Sequence, residues 1–174
     1  MQVFLIGLPG SGKTTVGKAL AARLQLPFVD LDHAIETGEQ HLITHIFKEK
    51  GEAYFRELEA RYLTRWISSG TDFVMATGGG TPCFHENLNR MNAAGITIFL
   101  DVPAREIVTR MSQAPGPERP LLAGLGRDGL KDRIEFLRTQ RLPFYRQAQF
   151  TVSGENITLA ELIKTANLPL PSTK

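Results

Sequence analysis

Residues Gly7 to Thr14 form the sequence pattern that most restricts how this chain can fold. They read Gly-Leu-Pro-Gly-Ser-Gly-Lys-Thr, which matches the phosphate-binding loop pattern G-x-x-x-x-G-K-[ST] at every fixed position. An apolar run typical of a buried strand, Val3–Ile6, precedes the loop, and a segment with apolar residues at helical spacing, residues 15–24, follows it. This strand–loop–helix context is the one that the pattern requires, so the chain is predicted to bind a nucleotide.

Each part of the loop has a physical role in binding a nucleoside triphosphate. Its glycines let the backbone curl until N–H groups face the phosphate oxygens, and the following helix adds its positive end. Lys13 reaches the β- and γ-phosphates, and the Thr14 hydroxyl ligates Mg²⁺. The residues expected to bind the nucleotide are Gly10, Ser11, Gly12, Lys13, Thr14 and Thr15.

Composition excludes several other classes of protein. The 174 residues fit a single domain, residues 1–174, and 20 basic against 18 acidic side chains are too balanced for a partner such as nucleic acid or an anionic membrane. No apolar run reaches the length of a transmembrane helix, and the first strand follows Met1 so closely that we expect no signal peptide. The single Cys83 rules out an internal disulfide and a cysteine zinc cluster. We expect a cytoplasmic monomer.

Strand-like runs alternate with helical patterns along the rest of the chain. Further strands are predicted at Pro27–Val29, Phe73–Ala76, Ile96–Leu100 and Phe150–Val152, and further helices at about 52–69 and 159–166. This alternation predicts an α/β fold with a parallel sheet covered on both faces. A stretch rich in proline and glycine, residues 112–129, interrupts the alternation and is a candidate lid loop over the nucleotide.

Two carboxylates, Asp30 and Asp32, follow the second predicted strand. Alternation in an extended segment would put both on one side, at the edge of the sheet where ligands of parallel sheets bind. One carboxylate could hold the hydration shell of Mg²⁺, and the other could accept a hydrogen bond from an attacking hydroxyl. Helix N-capping explains aspartate at such a junction equally well.

Arg56 has Glu52 four residues before it and Glu59 three residues after it on a predicted helix. Taken alone, this spacing favours a solvated ion-pair face on the helix. The alternative is an arginine held rigidly to bind a carboxylate through two parallel hydrogen bonds.

Three other features could contribute to a site. Three consecutive glycines, Gly78-Gly79-Gly80, directly follow the third strand, where a ligand pressing on bare backbone is favoured over a tight turn. Arg119 lies in the candidate lid, where it could cover a transferred phosphoryl group. Arg141 precedes Leu142 and Pro143, and the proline, by disturbing the helix, could aim the arginine inward.

Together, these motifs resemble those of the shikimate kinase family, a member of the nucleoside-monophosphate-kinase-like group, over residues 3–152. The markers are Gly7–Thr14, Asp30-Leu31-Asp32, Gly51-Glu52 with Phe55-Arg56 and Glu59, the glycine triplet, Arg119-Pro120-Leu121-Leu122, and Arg141 with Pro143 and Tyr145. Only the first motif is specific by itself, but the order and spacing of the whole series are specific to the family. Gluconate and adenylate kinases share the loop without the series.

The resemblance implies a three-layer α/β/α fold with a five-stranded parallel sheet in the order 2-3-1-4-5. It also implies a lid at about 112–129 and a substrate-binding helical region at about 33–62. The reaction implied is transfer of the γ-phosphoryl group of ATP, with Mg²⁺, to the 3-hydroxyl of shikimate. The product, shikimate 3-phosphate, lies on the route to chorismate and the aromatic amino acids.

The same resemblance implies roles for individual residues. Asp32 would orient or deprotonate the reacting hydroxyl, while Asp30 would hold Mg²⁺ through water beside Thr14. The implied shikimate-binding residues are Asp32, Arg56, Gly78, Gly79, Gly80 and Arg141, with the two arginines gripping the carboxylate and Glu59 steadying Arg56. Arg110 lies where the family places an arginine against adenine, and Arg119 would close onto ATP. The implied catalytic residues are Lys13, Asp32 and Arg119.

Two alternatives stay open at this point. One is another small-molecule kinase of the same fold, such as a gluconate-type kinase, and the other is a nucleotide-binding regulatory module without catalysis. Residues 153–156, after the last strand, show no clear second contact for adenine, so the base preference is less constrained than the phosphate site.

Overall fold

Strands and helices alternate along the chain in the computed structural model, which describes residues 1–113, 120–122 and 124–170. The elements in these ranges are β1 (Gln2–Ile6), α1 (Lys13–Leu24), β2 (Phe28–Asp30), α2 (Leu31–Glu39), α3 (Ile43–Ser68), β3 (Phe73–Ala76), α4 (Asn87–Ala94), β4 (Ile96–Asp101), α5 (Ala104–Gln113), α6 (Arg127–Tyr145), β5 (Phe150–Ser153) and α7 (Leu159–Thr165). Short 3₁₀ turns lie at Thr81–Cys83 and Pro120–Leu122.

All strand pairs in the sheet are parallel, and the strand order is β2-β3-β1-β4-β5. β1 lies at the centre, with Val3 paired to Val74 on one side and to Ile96 on the other. Every residue of β1 is buried, which explains why it reads as a continuous apolar run in the sequence. The predicted fold class and strand order are therefore confirmed.

Successive side chains along a strand point to opposite faces of the sheet, and each face packs in its own hydrophobic core. Phe4 and Ile6 point to the face covered mainly by α2, α3, α4 and α6, whereas Val3 and Leu5 point to the face covered by α1 and α7. This arrangement leaves the carboxyl ends of β1, β2 and β3 at one edge, where the loops that follow them converge. No helix in the described ranges is long and apolar enough to cross a bilayer.

Two element boundaries differ from those predicted. α5 extends through Gln113 and α6 begins at Arg127, so the loop expected across residues 112–129 is shorter at both ends. Arg119 lies outside the described residues.

α3 begins at Ile43 rather than near residue 52, and its regular geometry is broken at Gly51, whose φ of 81° favours glycine. The predicted helix corresponds to the part of α3 after this break.

Candidate active site

The phosphate-binding loop forms one wall of a cavity of about 580 Å³. The loop turns at Gly10 and Gly12, whose φ angles of 79° and 93° are accessible mainly to glycine. α1 begins at Lys13, directly after Gly12, so the first N–H groups of this helix have no partners within the helix and are available to an anion. The volume lies in the range of small-ligand sites, and the wall suits the phosphates of a nucleotide.

Lys13 is hydrogen-bonded to the backbone of the phosphate-binding loop. Its Nζ atom donates to the carbonyl oxygens of Gly7 and Leu8 at 2.9 and 2.8 Å, and the side chain is buried. These contacts hold the Lys13 ammonium group over the loop, where it would donate hydrogen bonds to phosphate oxygens. The other residues predicted for the nucleotide line the same cavity: Gly10, Ser11, Gly12, Thr14 and Thr15.

The far side of this cavity contains one predicted residue and one segment that the sequence did not reveal. Arg110 lines it, with Nε donating to Glu106 at 2.8 Å and Nη2 donating to the carbonyl oxygen of Glu155. Asn156, Ile157, Thr158 and Leu159 line it as well. Sequence reasoning placed no nucleotide-site residue after β5, because only the folded chain brings this segment back beside Arg110. The sequence does contain one signal for this segment: the Thr158–Glu161 capping box, which marks the start of α7.

A second cavity of about 440 Å³ adjoins the first. Three residues line both cavities: Thr14, Asp30 and Asp32. The second cavity also contains the predicted Arg56, Glu59 and Arg141. Two ligands, one in each cavity, would therefore meet at Asp30 and Asp32.

Asp30 caps a helix and also lies at the boundary between the two cavities, so the capping role is confirmed and the role in holding Mg²⁺ stays a prediction. Its Oδ1 accepts from the backbone N–H of His33 at 3.3 Å and so caps α2. Its Oδ2 accepts from the Thr14 hydroxyl at 3.0 Å, at the boundary between the cavities. The expectation of an extended segment through Asp32 is wrong, because α2 begins at Leu31 and puts Asp32 in its first turn. Asp32 nevertheless lines both cavities.

The oxygens of Thr14 and Asp30 fit a Mg²⁺ ion. Among the described residues, no group of three or more His, Cys, Asp or Glu side chains could hold a metal ion by itself. Mg²⁺ needs no such cage, because it keeps several waters and takes only one or two protein oxygens beside the phosphates. A hydroxyl and a carboxylate 3.0 Å apart, next to the phosphate-binding loop, supply ligands of this kind.

Arg56 is buried, with 4% of its surface exposed, so the solvated ion-pair face favoured by spacing alone is wrong. Its Nε and Nη2 atoms donate to Glu52 Oε1 at 3.1 and 2.7 Å, and Nη1 donates to Glu59 Oε2 at 2.5 Å. Burial lowers the pKa of Arg56, but Glu59 and Glu52 outweigh it and raise the pKa above its ordinary value, so the guanidinium stays charged. The two glutamates use three of its five N–H groups, which leaves two for a further acceptor.

An aromatic ring also orients this guanidinium. The Phe84 ring centroid lies 4.6 Å from Arg56 Cζ, within the range of a cation–π contact. Phe84 itself is 39% exposed, so it lies at the outer edge of the protein next to the buried charge. Sequence reasoning missed Phe84, because no spacing rule connects it with Arg56.

The glycine triplet leaves space for charged side chains of the chain itself. A Cβ at Gly80 would lie 2.5 Å from Arg56 Nη1, and one at Gly79 would lie 2.9 Å from Arg141 Nη1. A Cβ at Gly78 would lie 2.7 Å from Glu59 Oε1 and 2.8 Å from Asp32 Oδ1. None of the three has a positive φ, so lack of space, rather than backbone conformation, requires glycine here. The groups that approach the triplet in the structure are side chains of the chain itself, and the predicted contact of a ligand with its backbone stays a prediction.

Arg141 faces the second cavity for a different reason from the one predicted. Pro143 lies inside α6, and the helix continues past it to Tyr145. The buried residues of α6 recur at helical spacing, and Arg141 follows Leu137 by four positions on that face. The helical period therefore turns Arg141 inward, and the side chain is only 7% exposed.

Tyr145 connects α6 to the glycine triplet. Its hydroxyl donates to the carbonyl oxygen of Gly79 at 2.5 Å, and the side chain is fully buried. Burial raises the pKa of Tyr145 well above its usual value, so the hydroxyl keeps its proton and remains a donor. The triplet is thereby held against α6 on the side of Arg141.

A family model described as shikimate kinase matches residues 9–167 of the chain. The shikimate kinase of Bacteroides fragilis is 42% identical over 166 residues, which cover 95% of this chain and 92% of that protein. This match, like the family model, extends over both cavities.

Solved structures agree with the sequence matches. Shikimate kinase from Bacteroides thetaiotaomicron superposes with a TM-score of 0.88 at 38% identity, covering 94% of this chain and 97% of that one. Shikimate kinase from Acinetobacter baumannii in complex with shikimate superposes with a TM-score of 0.82 at 32% identity, covering 93% and 87%. A gluconokinase from Sinorhizobium meliloti reaches only 0.54 at 16% identity, which shows a common fold and no more.

Proposed function

The chain belongs to the shikimate kinase family, and on this premise we propose that it transfers the γ-phosphoryl group of ATP to the 3-hydroxyl of shikimate. The products are ADP and shikimate 3-phosphate, which lies on the route to chorismate and the aromatic amino acids. One observation carries the proposal: Thr14, Asp30 and Asp32 line both cavities, so a donor in one and an acceptor in the other meet at two carboxylates. The relative solved in complex with shikimate supports the choice of acceptor.

On the donor side, the chain supplies charge and orientation. The positive end of α1 and the Lys13 ammonium offset the negative charge of the phosphates, which phosphoryl transfer requires more than it requires a strong base. Thr14 and Asp30 would hold Mg²⁺, which when bound neutralises part of the phosphate charge. Gly10, Ser11, Gly12 and Thr15 would surround the phosphates, and Arg110 would contact the base with Asn156 beside it.

On the acceptor side, two buried arginines select for an acid. Arg56 keeps two N–H groups for an acceptor, and Arg141 adds a second positive charge at the same cavity. A carboxylate held between two buried guanidinium groups forms strong, charge-assisted hydrogen bonds that a neutral polyol cannot form. The backbone of Gly78, Gly79 and Gly80 completes this wall.

Asp32 is the proposed partner of the reacting hydroxyl. It lines both cavities, so it can accept a hydrogen bond from the 3-hydroxyl of a shikimate whose carboxylate lies at the arginines. As the hydroxyl oxygen attacks the γ-phosphorus, the bond to the β-phosphate oxygen breaks, ADP leaves, and the hydroxyl proton passes to Asp32. Holding the hydroxyl in line with the phosphorus contributes most of the acceleration in this type of reaction.

Several parts of the proposal rest on the family resemblance. Arg119 and the rest of the loop between α5 and α6 would close over ATP and exclude water. Residues 33–62, which include most of α2 and most of α3, are the proposed substrate-binding region. The monomeric state and the cytoplasmic location stay predictions.

Identification of the product tests the proposed reaction. The purified protein is incubated with ATP, Mg²⁺ and shikimate, and the product is analysed by two-dimensional ³¹P–¹H correlation NMR. We expect one phosphate ester, coupled to the proton on carbon 3 of shikimate, and no ester from the Lys13→Ala variant. Coupling to the proton of another carbon would contradict the proposed orientation, and formation of inorganic phosphate alone would contradict the proposed acceptor.

A further inference from the structure

The glycine triplet leads directly into a 3₁₀ turn whose first residue, Thr81, is fully buried. The Thr81 hydroxyl donates to Glu59 Oε1 at 2.5 Å. The other oxygen of the same carboxylate, Oε2, accepts from Arg56 Nη1 at 2.5 Å. The hydroxyl is therefore separated from the guanidinium by one carboxylate, and all three side chains are buried.

The turn that carries Thr81 is itself anchored. The Thr81 backbone N–H donates to the carbonyl oxygen of Gly78 at 3.2 Å, and Asn87 Nδ2 donates to the carbonyl oxygen of Thr81 at 3.0 Å. Asn87 is fully buried at the start of α4. The N–H and carbonyl groups of Thr81 are therefore both held, and its hydroxyl reaches Glu59 of α3 from an anchored backbone.

We infer that Thr81 is a positioning residue for the acidic end of the substrate, acting through Glu59 on the orientation of Arg56. This inference rests on the proposed function, in which Arg56 binds the carboxylate of shikimate. A buried carboxylate that accepts from Arg56 alone could rotate about its terminal bond, and it would then hold Nη1 less firmly, with only Glu52 left to fix the other side of the guanidinium. The Thr81 hydroxyl fixes the other carboxylate oxygen and so keeps the two remaining N–H groups of Arg56 aimed into the cavity.

A purely structural role for Thr81 makes a different prediction, and two variants separate the two roles. Thr81→Val keeps the shape of the side chain and removes the hydroxyl, whereas Thr81→Ser keeps the hydroxyl and removes the methyl group. A role in packing predicts that serine is the more harmful change. Positioning of Glu59 predicts that valine is, because only valine leaves a buried carboxylate oxygen without its donor.

Steady-state kinetics measure the effect. For Thr81→Val, we expect the KM for shikimate to rise about tenfold, the loss typical of one hydrogen bond to a charged group, while the KM for ATP changes less than about twofold. Thr81→Ser should stay within about twofold of the wild type for both substrates. Thr97→Val is the matched control, because its fully buried hydroxyl also donates to a side chain, Asn92, but at the far end of β4.

An altered acceptor tests whether the effect passes through the arginine. Shikimate carboxamide keeps the ring and its hydroxyls but carries no negative charge at the end that Arg56 would bind. We expect kcat/KM for the carboxamide to differ less than about twofold between the wild type and Thr81→Val, although both use it poorly. If Thr81→Val does not fold, Thr81→Ala and Thr81→Ser are compared with the same two acceptors.

The outcomes separate this inference from the proposed function. An unchanged KM for shikimate in Thr81→Val, or an equal loss for shikimate and its carboxamide, would overturn the positioning role and leave the proposed function intact. Failure of the wild-type protein to phosphorylate shikimate would overturn both. A KM increase confined to the charged acceptor and reversed by serine would establish the role of Thr81.

Discussion

The Thr14 hydroxyl donates to Asp30 Oδ2 at 3.0 Å, and this hydrogen bond joins the start of α1 to the end of β2. It lies where the nucleotide cavity meets the acceptor cavity. The place proposed for Mg²⁺ is therefore built by two segments that are only 16 residues apart in the sequence.

Replacing Asp30 by asparagine tests this magnesium site. Asparagine caps a helix about as well as aspartate, so α2 should keep its cap while the negative charge is lost. We expect the Mg²⁺ concentration that gives half-maximal activity to rise about tenfold or more, as is typical for loss of a group that holds a metal through water. Activity is titrated with Mg²⁺ at fixed ATP, and an unchanged midpoint would contradict the assignment of Asp30.

Removing the Arg141 side chain should weaken the binding of the acid substrate. Because this guanidinium is buried at the cavity, we expect Arg141→Ala to raise the KM for shikimate about thirtyfold or more, with the KM for ATP nearly unchanged. Arg146→Ala is the matched control, since this arginine lies five positions further along and is exposed. An equal KM for shikimate in Arg141→Ala and the wild type would refute the role proposed for Arg141.

A single methyl group at Gly80 should displace Arg56, the other arginine of the acceptor cavity. A Cβ at Gly80 would lie 2.5 Å from Arg56 Nη1, so Gly80→Ala must displace the guanidinium. We expect the KM for shikimate to rise by at least about tenfold. Gly129→Ala is the control, because a Cβ there meets only Leu125 at ordinary contact distance, 3.6 Å, within a helix that alanine favours. If the KM for shikimate were unchanged in both variants, lack of space would not be the reason for glycine at position 80.

The predictability of the site differs from residue to residue. The phosphate-binding loop could be placed from the sequence because its chemistry resides in eight consecutive residues with a fixed local geometry. Sheet order and fold class followed from the family resemblance and from strands whose burial is visible as apolar runs. The two cavities as such could not be predicted, because each is closed by segments distant in sequence.

The family resemblance predicts a site role for Arg56, but the local spacing of charges does not predict its burial. Its spacing from Glu52 and Glu59 is that of an exposed ion-pair face, and only the packing of α3 against the glycine triplet buries it. Its contact with Phe84 depends on the same packing. The sequence predicts correctly that Arg141 points inward, but the helical period of α6, which continues through Pro143, explains this orientation, and a disturbance by the proline does not.

The thiol of Cys83 tests the packing around the site without any substrate. Burial raises its pKa to about 11, although Arg141 and Arg56 act in the opposite direction. A pKa raised by about two units lowers the fraction of reactive thiolate about a hundredfold at pH 8. We expect iodoacetamide to alkylate Cys83 about a hundred times more slowly in the native protein than in the unfolded chain, which carries the same single thiol. Equal rates would mean that this turn is open to solvent.

The second cavity, which adjoins the one walled by the phosphate-binding loop, is the proposed binding site for shikimate. The most direct test is the rate of ADP release from ATP and Mg²⁺ with shikimate, with gluconate, and with no acceptor, using Lys13→Ala as the inactive control. We expect rapid, saturable ADP release with shikimate, at least about a hundredfold faster than with gluconate or with no acceptor, as expected where a site pairs its buried charges with one substrate. Faster release with gluconate than with shikimate, or release that no acceptor accelerates, would contradict the proposed function.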